Sequence, residues 1–391
     1  MLAKMTTQNR ISFPTVRITA TTFCIVLMAL VGLAQTGRRA NASAPSSPSG
    51  QSQRDAAEAR RLNQLGDQLL RQGSPKEALQ FFLQALPLRR SARDQNGEAI
   101  TLNNIGAAQA EMGHQQAALE SYQQALEIYR ALRNLPEIGN LVSNIGVTYY
   151  EMGQYDSAIE YHREGLDIAN RVDDIERQAT ALNNLGVAYN AKGSKDDALR
   201  YFAEALPRYQ RLRNPGSMGL ILGNMGSIYK DQGEKKKARE ALEKSLQYSQ
   251  QADSALDYSN VLNTLGLLEL SEKNYPRALL LFTESHDISL RRNYPMGVAQ
   301  ATHNTGLYYV TIGEKKQGLS FYETALQLFQ QIHAADRVAK TQKSIEAVKA
   351  DLASKVEKPT APLPQAGTAS ATRKRTVKKS LSKPKTKKSR R

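Results

Sequence analysis

The chain has 391 residues, with 53 Lys and Arg against 37 Asp and Glu, five histidines, one cysteine and no tryptophan. One cysteine excludes an intrachain disulfide and a thiolate metal site. The formal charge of +16 belongs to the ends: residues 1–54 hold six basic residues and 373–391 hold eleven, neither with an acid, so taking those seventeen from 53 leaves 36 basic against 37 acidic residues between. A neutral body excludes a polyanion-binding face spread over the whole molecule and confines such a contact to the ends.

Lys4, Arg10 and Arg17 precede an apolar run, Phe23 to Leu33, and Gly32-Leu33-Ala34 and Ala42-Ser43-Ala44 offer the small residues a signal peptidase reads. Residues 1–34 are therefore expected to be a signal peptide or an uncut N-terminal membrane anchor. The apolar stretch Ile18 to Ala34 is at the short limit for a spanning helix. The expected location is exported (periplasmic or secreted) or tethered to an inner membrane. Cys24 is not preceded by a lipobox. Residues 35–54, rich in Ser and Pro, are expected to be a linker.

From residue 55 a 40-residue period sets in. Gly66, Gly106, Gly146, Gly186, Gly226, Gly266 and Gly306 stand in the phrases LNQLG, LNNIG, VSNIG, LNNLG, LGNMG, LNTLG and THNTG. Seven residues later comes Gly73, Gly113, Gly153, Gly193, Gly233 or Gly313, with Lys273-Asn274 in the sixth unit, where Asn is expected to take the left-handed helix end. Then follow a small residue (Ala78, Ala118, Ala158, Ala198, Ala238, Ala278, Gly318) and, four on, a bulky one (Phe82, Tyr122, His162, Phe202, Leu242, Phe282, Tyr322). The spacing predicts two helices per unit, with small residues where the pair meets closely and bulky ones beside them. Ser74-Pro75, Pro136, Pro215 and Pro295 fit helix starts. Pro87 and Pro207 fall well inside second helices and are expected to kink them or end them early.

The small-large pattern, with Gly106, Tyr122, Tyr149 and Ala158 in their slots, resembles the tetratricopeptide repeat. The LNNLG core and 40-residue unit are similar to kinesin light chains, Pins-type scaffolds and bacterial arrays. The resemblance implies an all-α, right-handed superhelical solenoid over 55–354, with about seven helical hairpins and a C-terminal capping helix near Asp336 to Ser354. It implies a non-enzymatic scaffold or adaptor holding a protein or extended peptide in a concave groove, with no cofactor and no small-molecule substrate. Bacterial relatives of this kind often end in a caspase-like domain, which needs a Cys and a His; here the one Cys lies in the leader. The five histidines show no metal-ligand spacing.

Asparagine recurs two residues before the motif glycine (Asn104, Asn144, Asn184, Asn224, Asn304) and three before it (Asn103, Asn183, Asn263). Asn is a poor helix former, so its recurrence needs a reason. Either the amides bond unit to unit, or, as the resemblance implies, they line the groove and grip a peptide backbone with a group that both donates and accepts. Arg71, Glu111, Glu151, Ala191, Asp231, Ser271 and Thr311 line the same face, making it polar and mildly acidic. Tyr150 is the exposed aromatic candidate there.

Residues 355–391 are too polar to bury a core. Arg373, Lys374, Arg375, Lys378, Lys379, Lys383, Lys385, Lys387, Lys388, Arg390 and Arg391 are the candidates for binding a polyanion, either an anionic polymer or a membrane surface. Two other readings stay open: an intracellular nucleic-acid-binding adaptor, and a sensor for a separately encoded effector enzyme.

Overall fold

The computed structural model describes residues 50–356, and these are helical hairpins from end to end. Seven units are formed by α1 (Gly50–Arg71) with α2 (Pro75–Ser91), α3 (Gln95–Glu111) with α4 (Gln115–Ala131), α5 (Leu135–Glu151) with α6 (Tyr155–Arg171), α7 (Ile175–Lys192) with α8 (Lys195–Arg211), α9 (Pro215–Asp231) with α10 (Lys235–Gln251), α11 (Ala255–Ser271) with α12 (Tyr275–Arg291), and α13 (Pro295–Thr311) with α14 (Lys315–Gln331). The cap, α15, runs Ala335–Val356. The leader at 1–34, the linker residues 35–49 and the tail from 357, with all eleven candidate polyanion-binding residues, lie outside the described residues. Residues 50–54, expected in the linker, are instead the first turn of α1. Contacts with the end of α2 hold them there: Ser52 Oγ donates to the Ala92 carbonyl at 3.2 Å, and Ser91 Oγ donates to Asp55 Oδ2 at 2.5 Å.

Each hairpin closes on the motif glycine. The bulky side chain sixteen residues on lies flat against it, so a Cβ added at Gly66, Gly106, Gly146, Gly186, Gly226, Gly266 or Gly306 would stand 2.4–2.8 Å from the nearest atom of Phe82, Tyr122, His162, Phe202, Leu242, Phe282 or Tyr322. The small residue four positions before the bulky one is sealed in the same contact: the six alanines are fully buried. At Gly318 a Cβ would meet Val310 at 2.5 Å.

Both kinds of turn use one geometry. After a first helix, His114 N–H bonds the Gln109 carbonyl and Gly113 N–H the Ala110 carbonyl, both at 2.9 Å, with Gly113 at φ +80°. After a second helix, Asn134 bonds Tyr129 and Arg133 bonds Arg130 in the same way. There the left-handed residue is never glycine: Arg93, Arg133, Asp173, Arg213, Asp253, Asn293 and His333 all have φ between 50° and 54°. In the sixth unit Lys273 takes the left-handed position at φ 62°, not the expected Asn274, which instead precedes α12.

Pro87 and Pro207 end nothing. α2 and α8 run four residues past them. Both rings lie on the solvent side, so the carbonyl left without an N–H donor, four residues back at exposed Leu83 and Ala203, faces water.

First helices pack on the first helices of the next unit (α1 on α3, α3 on α5, α5 on α7, α9 on α11, α11 on α13), while second helices do not approach one another in this way. The array therefore curls with its first helices inside, as the inner face of a right-handed superhelical solenoid. α7 and α9 stand further apart than those neighbours.

Gly186→Ala is expected to lower the urea midpoint, although Ala is the better helix former. Its Cβ would sit 2.5 Å from Phe202, and overpacking of this kind costs about 1–3 kcal/mol. An unchanged midpoint would mean that the ring is free to yield. Conversely, Lys273→Gly should raise the thermal midpoint, because it relieves a left-handed residue bearing a Cβ; the net gain expected is about 0.5–1 kcal/mol.

Candidate ligand-binding groove

The asparagines recur on the first helices because the 40-residue period returns each to the same face, and there most bond across units. Asn144 Nδ2 donates to Asn103 Oδ1 at 3.0 Å, and Asn304 Nδ2 to Asn263 Oδ1 at 3.0 Å, in both cases from two residues before one motif glycine to three before the previous. In unit 2 the donor shifts: Asn104 Nδ2 bonds Asp67 Oδ1 at 2.8 Å, while Asn63 Nδ2 bonds Thr101 Oγ1 at 2.8 Å.

Asn263 and Asn304 are not groove residues. They are 1% and 5% exposed. Asn263 also donates to Ser285 Oγ at 2.6 Å, inside a buried serine network in which Ser259 Oγ meets Ser285 Oγ at 2.8 Å and Ser289 Oγ at 2.6 Å. Small polar side chains fill this stretch of the array, and the amides are drawn in to satisfy them. Tyr150 is not a free-standing aromatic either. It is half-buried, its ring 5.6 Å from Tyr155 and packed on the core between units 3 and 4, and desolvation together with the Tyr155 hydroxyl holds its own hydroxyl above the usual tyrosine range.

The middle of the ladder is different. The register that joins Asn144 to Asn103 would carry Asn224 to Asn183 and Asn184 to Ser143. Neither bond forms: Asn183 Oδ1 and Asn184 Nδ2 are shielded from water and have no hydrogen-bond partner. Their one contact is a long one with each other, Asn183 Nδ2 to Asn184 Oδ1 at 3.5 Å. The wider step between α7 and α9 leaves this acceptor unmet. All three residues, Asn183, Asn184 and Asn224, are only half-buried, so a side-chain rotation brings an unpaired acceptor and an unpaired donor to the inner face. An unpaired buried polar atom costs about 1–3 kcal/mol, so these amides gain from a ligand more than the bonded ones do.

The cap adds groups that the repeated text does not announce. His303 lies half-buried with Thr341 Oγ1 3.1 Å from its Nδ1 and its ring 4.9 Å from Tyr322. Burial, Lys340 and Arg337 push it down to about 4. Counting the 40-residue register past the last glycine, from Gln300 to Lys340, would have found this basic end. His162 is pushed down to about 4 by burial alone, with its ring on Gly146. Among the described residues no group of three or more His, Cys, Asp and Glu could hold a metal ion, and no helix is long and apolar enough to cross a membrane.

Comparison with known proteins fits the repeat. The family model described as tetratricopeptide repeat matches residues 55–131, 137–211 and 217–291. No curated protein matches. Among solved structures, aspartyl phosphate phosphatase F from Bacillus subtilis is similar at 18% identity over 72% of this chain and 73% of its own, with a TM-score of 0.59. The apo form of the quorum sensor NprR from B. thuringiensis is similar at 17% identity over 75% and 82%, also with a TM-score of 0.59. The apo form of RapI is similar at 16% identity over 67% and 100%, with a TM-score of 0.53. At such identities the likeness is one of fold.

The histidines generate a pH prediction. His162 is depressed from 6.5 to about 4, so between those values the unfolded chain binds the proton and the folded chain does not. Stability from this residue is complete above pH 6.5 and falls as pH drops toward 4. His162→Phe, which places there the residue found at 82, 202 and 282, should flatten the dependence of the melting temperature on pH across that window. Parallel curves for variant and wild type would show that His162 is not buried neutral.

Proposed function

The chain belongs to the tetratricopeptide-repeat family, and we propose that it is a non-enzymatic scaffold that holds an extended peptide or partner segment along its inner face. The observation that carries the reading is the pair of unmet amide atoms, Asn183 Oδ1 and Asn184 Nδ2, midway along that face. A peptide group offers one N–H and one C=O, and an adjacent acceptor and donor answer both. Repetition supports the choice of a long ligand: first helices present the same positions every 40 residues, which suits an extended chain better than a compact molecule. Export by the leader and contact with anionic polymers or membrane surfaces through 373–391 are further parts of the proposal, and they rest on sequence. The phosphatase among the similar structures shares the fold at 18% identity and assigns no chemistry to this chain.

Selection from a randomised dodecapeptide library on the immobilised full chain tests the groove. Asn183→Ala with Asn184→Ala should weaken the selected peptides about tenfold, the worth of two hydrogen bonds, with little change in melting temperature. Asn263→Ala should do the opposite, lowering stability by about 1–3 kcal/mol while sparing affinity per folded molecule, because it leaves buried Asn304 Nδ2 without its acceptor and removes a donor from the Ser259–Ser285 network. Peptides indifferent to the double variant would refute the groove.

A further inference from the structure

Two carboxylates on the inner rim are left unneutralised by the array. Glu111 and Glu151 end α3 and α5, each five residues after its motif glycine. In unit 5 and in the cap that position holds Asp231 and Asp351, and each is met by a lysine from the first residue of the preceding second helix: Lys195 Nζ is 3.8 Å from Asp231 Oδ2, and Lys315 pairs with Asp351. Asp231 has Lys230 as well, at 2.6 Å. For Glu151 the place of that lysine is taken by Gln115, whose Nε2 is 3.5 Å from Glu151 Oε2, and for Glu111 by Pro75. Among the described residues no lysine or arginine pairs with either glutamate. Desolvation holds both carboxyls above their ordinary value, as befits charges with no counter-charge near.

A third group lies within their electrostatic reach. Tyr122 is 3% exposed, its ring clamped on Gly106, and the charges of Glu151 and Glu111 both bear on its hydroxyl. Among the described residues no protein group takes that hydroxyl in a hydrogen bond. A hydroxyl without a protein hydrogen bond on a buried ring, within the field of two carboxylates without a cation, is an incomplete polar cluster.

We propose that Glu111, Glu151 and the Tyr122 hydroxyl form a subsite for a lysine or arginine side chain of the peptide bound along the inner face, a reading that rests on the groove proposed above. A basic side chain supplies the charge that Lys195 and Lys315 supply elsewhere and gives the tyrosine oxygen a donor. The far end of the face repels the same side chain, since exposed Arg337 and Lys340 stand beside His303. The basic residue of the ligand therefore seats on units 2 and 3.

The full chain, the dodecapeptide library and three variants test this. Peptides selected on the wild type should be enriched in Lys or Arg at one position. Gln115→Lys, which restores the internal cation, and Glu111→Gln with Glu151→Gln should each weaken them about tenfold, as losing a charge-assisted hydrogen bond does. The same peptides with that residue changed to Gln should bind more weakly and no longer distinguish Gln115→Lys from wild type. Melting temperatures of the variants, all on the rim, report that the array is intact. Selected peptides that respond to Asn183→Ala with Asn184→Ala but show no basic preference would overturn the subsite and leave the groove standing. No selected peptide at all would overturn both. Recovery that begins only when 373–391 are removed would place the chain's own tail in the subsite and overturn its assignment to an external ligand.

Discussion

A ring lying on a glycine is the contact from which the rest of this molecule follows. In every unit the bulky side chain of the second helix occupies the volume a Cβ would fill on the first, bringing the two backbones closer than any larger residue permits. That approach fixes the hairpin angle, and the fixed angle, repeated every 40 residues, fixes the superhelix. His162 and Leu242 make the contact as well as Phe82 or Tyr122. What is selected is a flat or compact apolar body of the right size; aromatic character is dispensable.

The partner positions around this contact vary in a coordinated way. Three residues after the motif glycine, Tyr149, Tyr189 and Tyr309 stack on Tyr161, Tyr201 and Phe321 at 5.2–5.4 Å, whereas Gln109 accepts a hydrogen bond from Ser121 at 2.8 Å. In unit 6 the same position is Glu269, 1% exposed, which draws Arg239 and Arg277 onto itself, the latter at 3.1 Å, together with Asn274 at 2.9 Å. Near it, Ser245, Ser249, Ser285 and Ser289 replace the alanines and aromatics found at 125, 129, 205 and 209. The array thus passes from an apolar interior in its first units to one held largely by hydrogen bonds, in which Ser249 Oγ alone of these four serines finds no partner. This is why the amides of Asn263 and Asn304 are structural.

The same accounting separates the inner face into bonded and available groups. Asn103 and Asn144 satisfy each other, while Asn183 and Asn184 face the wider step to α9 and do not. On the rim, lysines at 195 and 315 neutralise their aspartates, while Gln115 and Pro75 leave Glu151 and Glu111 alone. Among the described residues buried unpartnered atoms occur elsewhere too, at Asn63, Arg89 and Ser249, but only in units 2 to 4 do half-buried unmet amides lie near unneutralised carboxylates, and a ligand lying there completes both.

The fold class, the hairpin count, the places of small and bulky residues and the shared face of the asparagines were legible in the sequence, because each follows from a strict period and a helix repeats its faces by arithmetic; that the bulky ring lies on the motif glycine came from the packing. The sequence did not determine the turns after second helices, whose left-handed Arg133 or Asp173 carries no signature, nor that α2 and α8 run through Pro87 and Pro207. The first depends on a closing hydrogen-bond pair that any residue can be held to, and the second on which side of the helix faces water. Which asparagines are bonded became visible only once the helices were packed. Whether Asn144 finds Asn103 while Asn183 finds nothing is set by the spacing between successive first helices, a sum of packing contacts along the array that no single residue encodes.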